Sequence, residues 1–311
     1  MAAGDAMTTD AVASPRRRIA MRRLAPRRRP GYQRRRDAVG LAFALPALGL
    51  FGAFAVYPML RVFYLSFFDY SLTAPAEYVG TANYEFLFGD DRFHTSLMAT
   101  VFFVVAAYGP AVLLALLIAL GLNTRMRGAG VVRLLYFAPV AMSWVAVSVI
   151  WRLLLHRDGV INETLGLDVN WLTSSGSARW AVALTAIWKE VGFFVIIFLA
   201  GLQNVPKELY EAAALDGAGR WQRFRYVTMP LMKPITAVVA VMAVIRGFQS
   251  FSPQVVLTDG SFDTEVVNLF IYKTAFASAR MGRASAVAVL MFVLLAIITL
   301  IQLRAFRRSD R

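Results

Sequence analysis

The chain is 311 residues long, 58% hydrophobic and 17% charged, with a formal net charge of +14 and no cysteine. An apolar share this far above the roughly 45–50% of soluble domains excludes an ordinary water-soluble protein. The lack of cysteine excludes a disulfide framework, a thiolate metal site and a cysteine nucleophile, and two histidines as distant as His94 and His156 do not by themselves make a metal cluster.

The chain begins with its densest charge. Eleven arginines lie within the first 36 residues, directly ahead of an apolar run, where a cytoplasmic anchor would place them and where a nucleic-acid surface is not needed to explain them. Residues 1–36 carry no apolar stripe and read as a disordered arginine-rich tail; residues 37–311 read as one membrane domain. Ala38–Leu60 is 23 residues without a charge, longer than the 7–15 of a signal core. Six spans follow from hydropathy, at about 38–60, 96–122, 132–155, 180–203, 235–257 and 284–303, so the fold class is all-α and polytopic. Pro46, Pro58, Pro110 and Pro139 are tolerable inside spans because neighbouring groups satisfy the freed backbone. With the tail inside, the inner segments hold 23 basic residues against 8 outside, which predicts both termini in the cytoplasm.

The fourth and fifth spans enclose a loop, residues 204–234, too patterned to be a linker. Pro206 suits a first helical turn, and Glu208 and Glu211 lie near its positive dipole end. A short helix to about Leu215 should turn at Gly217 and Gly219, and a second from Arg220 should align Trp221 and Phe224 until Pro230 stops it. By composition alone, an aromatic ridge flanked by Arg220, Arg223 and Arg225 reads first as a helix lying on anionic lipid, a reading that the full motif reverses.

Glu211-Ala-Ala-Ala-Leu-Asp216-Gly217-Ala-Gly, followed by Met229-Pro230-Leu-Met-Lys-Pro234, resembles the coupling-loop signature of binding-protein-dependent ABC importer permeases. Val227 and Met229 stand where isoleucine and leucine are usual. Tyr78-Val-Gly-Thr-Ala-Asn-Tyr84, Phe248-Gln-Ser-Phe, Val255-Val-Leu-Thr-Asp-Gly260, Ile271-Tyr-Lys-Thr-Ala-Phe276 and Gly282-Arg-Ala-Ser-Ala286 are similar to segments of the sugar-uptake branch, in its maltose-permease-like subunit type. Asp259-Gly-Ser-Phe262 departs from the glycine pair and proline frequent there.

The resemblance implies the type I importer permease fold, a bacterial inner membrane, and a non-catalytic subunit that binds no cofactor. ATP and Mg would be used by a partner ATPase dimer, and a second homologous permease subunit and an extracellular solute-binding lipoprotein would complete the assembly. Glu211, Ala212, Ala213, Asp216 and Gly217 would dock the ATPase; the positions of Glu190, Phe193, Gln249 and Ser250 correspond to solute contacts. Carboxylate and amide groups suit hydroxyls, and an aromatic face suits a sugar ring. From the residues themselves, Lys189 and Glu190 require a cavity, a partner or a route to the interface; Arg246 suits an anionic group or a helix dipole, and Trp144 is a further candidate. No glycine-lysine pair occurs, so the chain has no P-loop of its own. A membrane enzyme would need a converging constellation that is not seen. An ion-coupled secondary transporter would need further intramembrane carboxylates, for which Glu190 has no second-half equivalent. Sugars, polyols and phosphate-bearing relatives of them all remain as cargo.

Overall fold

The structure, a computed structural model, describes residues 31–71, 73–123 and 129–308. Most of the expected arginine-rich tail, residues 1–30, lies outside them, and the chain is already helical at Gly31. Two compact units are present, Met1–Tyr57 and Pro58–Arg311. In the first, helix Gly31–Phe51 and the π turn Gly52–Val56 carry exposed Leu41, Phe43, Leu48 and Phe54, an apolar surface suited to lipid.

Among the described residues, five helices are long and apolar enough to cross a membrane: Val39–Leu65 (α1), Asp91–Leu122 (α2), Ser175–Gln203 (α5), Arg220–Phe248 (α7) and Met281–Phe306 (α9). A broken pair between the second and third of these, Leu134–Ala141 (α3) and Trp144–Leu154 (α4), makes a sixth if counted as one span. The pair bends by 111°, so the continuous third span expected over 132–155 is replaced by two half-helices. Ser143 ends the first and starts the second: extended at φ −68°, ψ 150°, it accepts a bond from the Ala146 N–H as an N-cap.

The fifth span also differs from expectation. Helix α7 begins at Arg220, ends at Phe248, and is followed by a bend and a separate short helix, Ser252–Thr258 (α8). Hydropathy ran the span on to residue 257 because a three-residue break barely lowers a window average. Pro230 does not stop the helix. It follows a five-residue π turn, Phe224–Thr228, in which the Met229 N–H reaches back to the Phe224 carbonyl. A proline ring collides with the carbonyl four residues earlier in an α-helix, and widening the turn relieves that collision. Pro58 follows the π turn Gly52–Val56 and Pro110 follows Val104–Tyr108 at the same two-residue offset.

Helix α5 is the centre of the second unit. Two thirds of its apolar window (67%) is buried, against 28–33% for α2, α7 and α9. Ala111, Ala115 and Ala119 of α2 recur every four residues, are fully buried and belong to the same core as Val182, Phe194 and Phe198. Small residues at that spacing allow close backbone approach, the main source of helix affinity where lipid offers no hydrophobic contrast. Gly192 does the same against α3: a Cβ there would fall on the Tyr136 carbonyl oxygen. Among the described residues one small element is not helical, a hairpin pairing Phe68–Ser71 with Ala74–Tyr78 antiparallel in the register Phe68↔Tyr78. Asn83 fixes it by donating to the Ser66 and Phe68 carbonyls at 2.9 Å each.

Candidate functional site

Two features stand at opposite ends of α7. At its N-terminal end is the elbow. Pro206 precedes a helix, Lys207–Leu215 (α6), whose C-terminus closes through Gly217 at φ +80°. The Gly217 and Ala218 N–H groups bond back to the Ala214 and Ala213 carbonyls at 3.1 and 2.9 Å. A Cβ at Gly217 would meet no atom, so only the positive φ demands glycine there. The Gln222 side chain accepts from the Gly219 N–H at 2.7 Å and starts the next helix. The Tyr210 and Thr228 hydroxyls, 3.0 Å apart, tie the two arms together. Glu211, Ala212, Asp216 and Gly217 are exposed and Ala213 is half-buried, while Leu215 (90% exposed), Trp221 (71%) and Tyr226 (75%) stand out as an uncovered apolar ridge.

At the other end is a cavity of about 280 Å³ lined by Tyr108, Trp144, Glu190, Arg246 and residues 249–253. Helix α5 supplies Glu190, sixteen positions into its 29 residues and so near mid-span. Both carboxylate oxygens accept from Arg246, from Nε and Nη2 at 2.8 Å each, and the Glu190 side chain is 2% exposed against 37% for Arg246. A bidentate pair of this geometry is what allows two ionised groups to stay at membrane depth. The guanidinium carbon of Arg246 lies 4.4 Å from the centre of the Phe193 ring. Lys189 turns the other way. Its Nζ donates to the Pro139 and Met142 carbonyls at 2.9 and 2.7 Å, groups released where α3 ends, and lies 5.2 Å from the Trp144 ring centre.

Of the four residues expected to contact solute, the structure brings Glu190, Gln249 and Ser250 to the cavity, while Phe193 backs Arg246 and is not part of the wall. Gln249 is exposed, and Ser250 is buried with its hydroxyl donating to Gln254 Oε1 at 3.0 Å. Sequence reasoning did not single out Tyr108. Its place in the wall depends on the π turn ahead of Pro110, and that proline was the available signal. A larger hollow, about 390 Å³, lies between the Arg152–Arg157 segment and Val256–Asp259. Its arginines are already engaged, Arg152 with the Val256 carbonyl and Arg157 with Asp168 through two bonds of 2.9 and 3.0 Å. The hydrogen bonds from Arg157, and then its charge, hold the Asp168 carboxyl below the usual carboxylate range. Among the described residues no three of His, Cys, Asp and Glu converge as metal ligands would.

A family model described as binding-protein-dependent transport system inner membrane component matches residues 47–310. The probable ABC transporter permease protein YesP of Bacillus subtilis (strain 168) is 36% identical over 279 residues, covering 86% of this chain and 90% of that protein. The sulfoquinovosyl glycerol transport system permease protein SmoG of Agrobacterium fabrum (strain C58 / ATCC 33970) is 35% identical, covering 85% and 89%. Among solved structures, a chain of a bacterial alginate ABC transporter, in complex with its alginate pentasaccharide-bound periplasmic protein, superposes with a TM-score of 0.79 at 26% identity, over 90% of this chain and 98% of that one.

Proposed function

The chain belongs to the binding-protein-dependent transport system inner membrane components, and from that premise we propose that it forms one half of the passage through which an ATP-driven importer takes up a sugar or related solute. Relatives named for sulfoquinovosyl glycerol and for alginate support a carbohydrate cargo. The partners are a second permease subunit of the same family, a dimer of ATPase subunits that uses ATP and Mg, and an extracellular binding protein that delivers the solute.

The observation that carries the reading is that elbow and cavity share one continuous helix. From Arg220 to Arg246, α7 rises about 39 Å at 1.5 Å per residue, enough to reach from an elbow outside the membrane to the mid-span depth of Glu190. The elbow's exposed ridge, with Glu211, Ala212, Ala213, Asp216 and Gly217, enters a cleft of the ATPase on the cytoplasmic side. Closure of the ATPase dimer pulls the elbow, and a helix packed against α5 carries the displacement to Arg246 and the cavity as a rigid-body movement. Glu190, Gln249 and Ser250 provide carboxylate, amide and hydroxyl groups for a polyhydroxylated solute. Phe193 holds the guanidinium plane. Both termini lie in the cytoplasm, the side that the charge balance assigns to the elbow.

Reconstitution tests this. The chain, co-expressed with its partners, should copurify with the ATPase and support ATP-dependent solute uptake into proteoliposomes. Glu190→Gln should lower uptake without loss of assembly, whereas Gly217→Val should weaken retention of the ATPase. Uptake driven by an ion gradient with this chain alone would show a secondary transporter instead.

A further inference from the structure

We propose that the cavity selects a solute bearing an acidic group, which docks on Arg246. The proposal rests on the reading of this cavity as the solute site. Three basic or acidic side chains lie at or behind its wall near mid-membrane: Glu190 and Arg246 in the wall itself, and Lys189 behind Trp144, a wall residue whose ring centre lies 5.2 Å from its Nζ. They sum to one net positive charge. The carboxylate is occupied, since both of its oxygens accept from Arg246 and only 2% of the side chain is exposed. The guanidinium is not: among the described residues Nη1 and the second hydrogen of Nη2 meet no acceptor, and the side chain is 37% exposed.

Lys189 forms no salt bridge among the described residues; its two partners are carbonyls, which spread its charge without cancelling it. The other polar groups of the wall, on Tyr108, Gln249, Ser250 and Ser252, are uncharged side chains. A net charge at this depth is costly, and a low-dielectric wall focuses its field into the cavity. An anion entering the cavity supplies the missing counter-charge and meets free guanidinium hydrogens in the geometry that suits carboxylate, sulfonate or phosphate oxygens. A neutral sugar meets the same hydroxyl-binding groups and leaves the charge uncompensated. Glu190 is then a positioning residue: it fixes the guanidinium plane and keeps the site from binding anions too tightly to release them.

The field is measurable without knowing the solute, because the chain has no cysteine and a single reporter is specific. Gln249→Cys, and separately Ser252→Cys, would be placed in the assembled transporter in nanodiscs, with any partner cysteines replaced. Each would be modified with the anionic 2-sulfonatoethyl and the cationic 2-(trimethylammonium)ethyl methanethiosulfonates. Relative to free thiol, the anionic reagent should be favoured at least about fivefold. The preference should persist in Arg246→Lys and vanish in Arg246→Gln. A ratio near unity, a preference for the cation, or a preference unchanged in Arg246→Gln overturns the proposal. So does absence of modification at both positions, since a solute would then have no path to Arg246. Loss of sugar uptake with the anion preference intact would sink the sugar reading alone.

Discussion

Lys189 and Glu190 are adjacent in sequence and take unrelated tasks because consecutive positions on a helix face about 100° apart. Glu190 looks toward α7 and the cavity, and Lys189 toward the break in the third span. Replacing Lys189 with methionine strands the Met142 carbonyl, whereas the Pro139 carbonyl keeps the Met142 N–H at 3.3 Å. We expect it to destabilise the protein by about 1–3 kcal/mol for the group left unpaired, read as a lower thermal midpoint of the detergent-solubilised complex. Outside the membrane, the Arg157–Asp168 pair sets a pH signature. The Asp168 carboxyl is depressed, so its contribution is present above the ordinary carboxylate range and lost as pH falls through the lowered value. Its NMR titration midpoint should lie below about 3.9 and return there in Arg157→Gln.

At the scale of elements, the recurrent device is proline behind a π turn. The pairing at Pro110 and Pro230 places one extra residue in each turn, and so rotates the helical segment on its N-terminal side by about 100° relative to the segment on its C-terminal side. In α7 this sets how the elbow faces relative to Arg246. Pro230→Ala should let the turn relax to regular α-helix; the fold should persist, while stimulation of ATPase activity by loaded binding protein drops. Gly217→Val attacks the elbow from its other side. Forcing a β-branched residue to φ +80° costs about 1–2 kcal/mol and should open the turn, seen as faster hydrogen exchange at the Gly217 and Ala218 amides.

For the whole molecule, α5 is the reference against which other parts are placed: α2 packs on its alanine-lined face, α3 meets Gly192, and α7 joins it through the Glu190–Arg246 pair. Sidedness is tested with the cysteine-free background. Asp216→Cys should react with a membrane-impermeant thiol reagent only from the cytoplasmic side, and Asp168→Cys only from outside. The opposite result would place the elbow out of reach of any ATPase.

The apolar runs, the charge balance and the elbow's glycine-hinged signature are local in the chain, and the sequence alone determined from them the membrane class, the family resemblance and the helical make-up of the coupling loop. Lengths of spans were legible to within a turn or so where a helix is straight, as for residues 96–122 within α2, because hydropathy records composition along one axis. It cannot record a bend. The 111° break at Met142–Ser143, the end of α7 at Phe248 and the survival of the helix through Pro230 were decided by tertiary partners and by turn geometry. The same holds for the cavity. That Glu190 is spent on Arg246, 56 positions away, and that Lys189 serves carbonyls 47 and 50 positions away, depends on which helix faces meet, and only the packed structure brings those faces together.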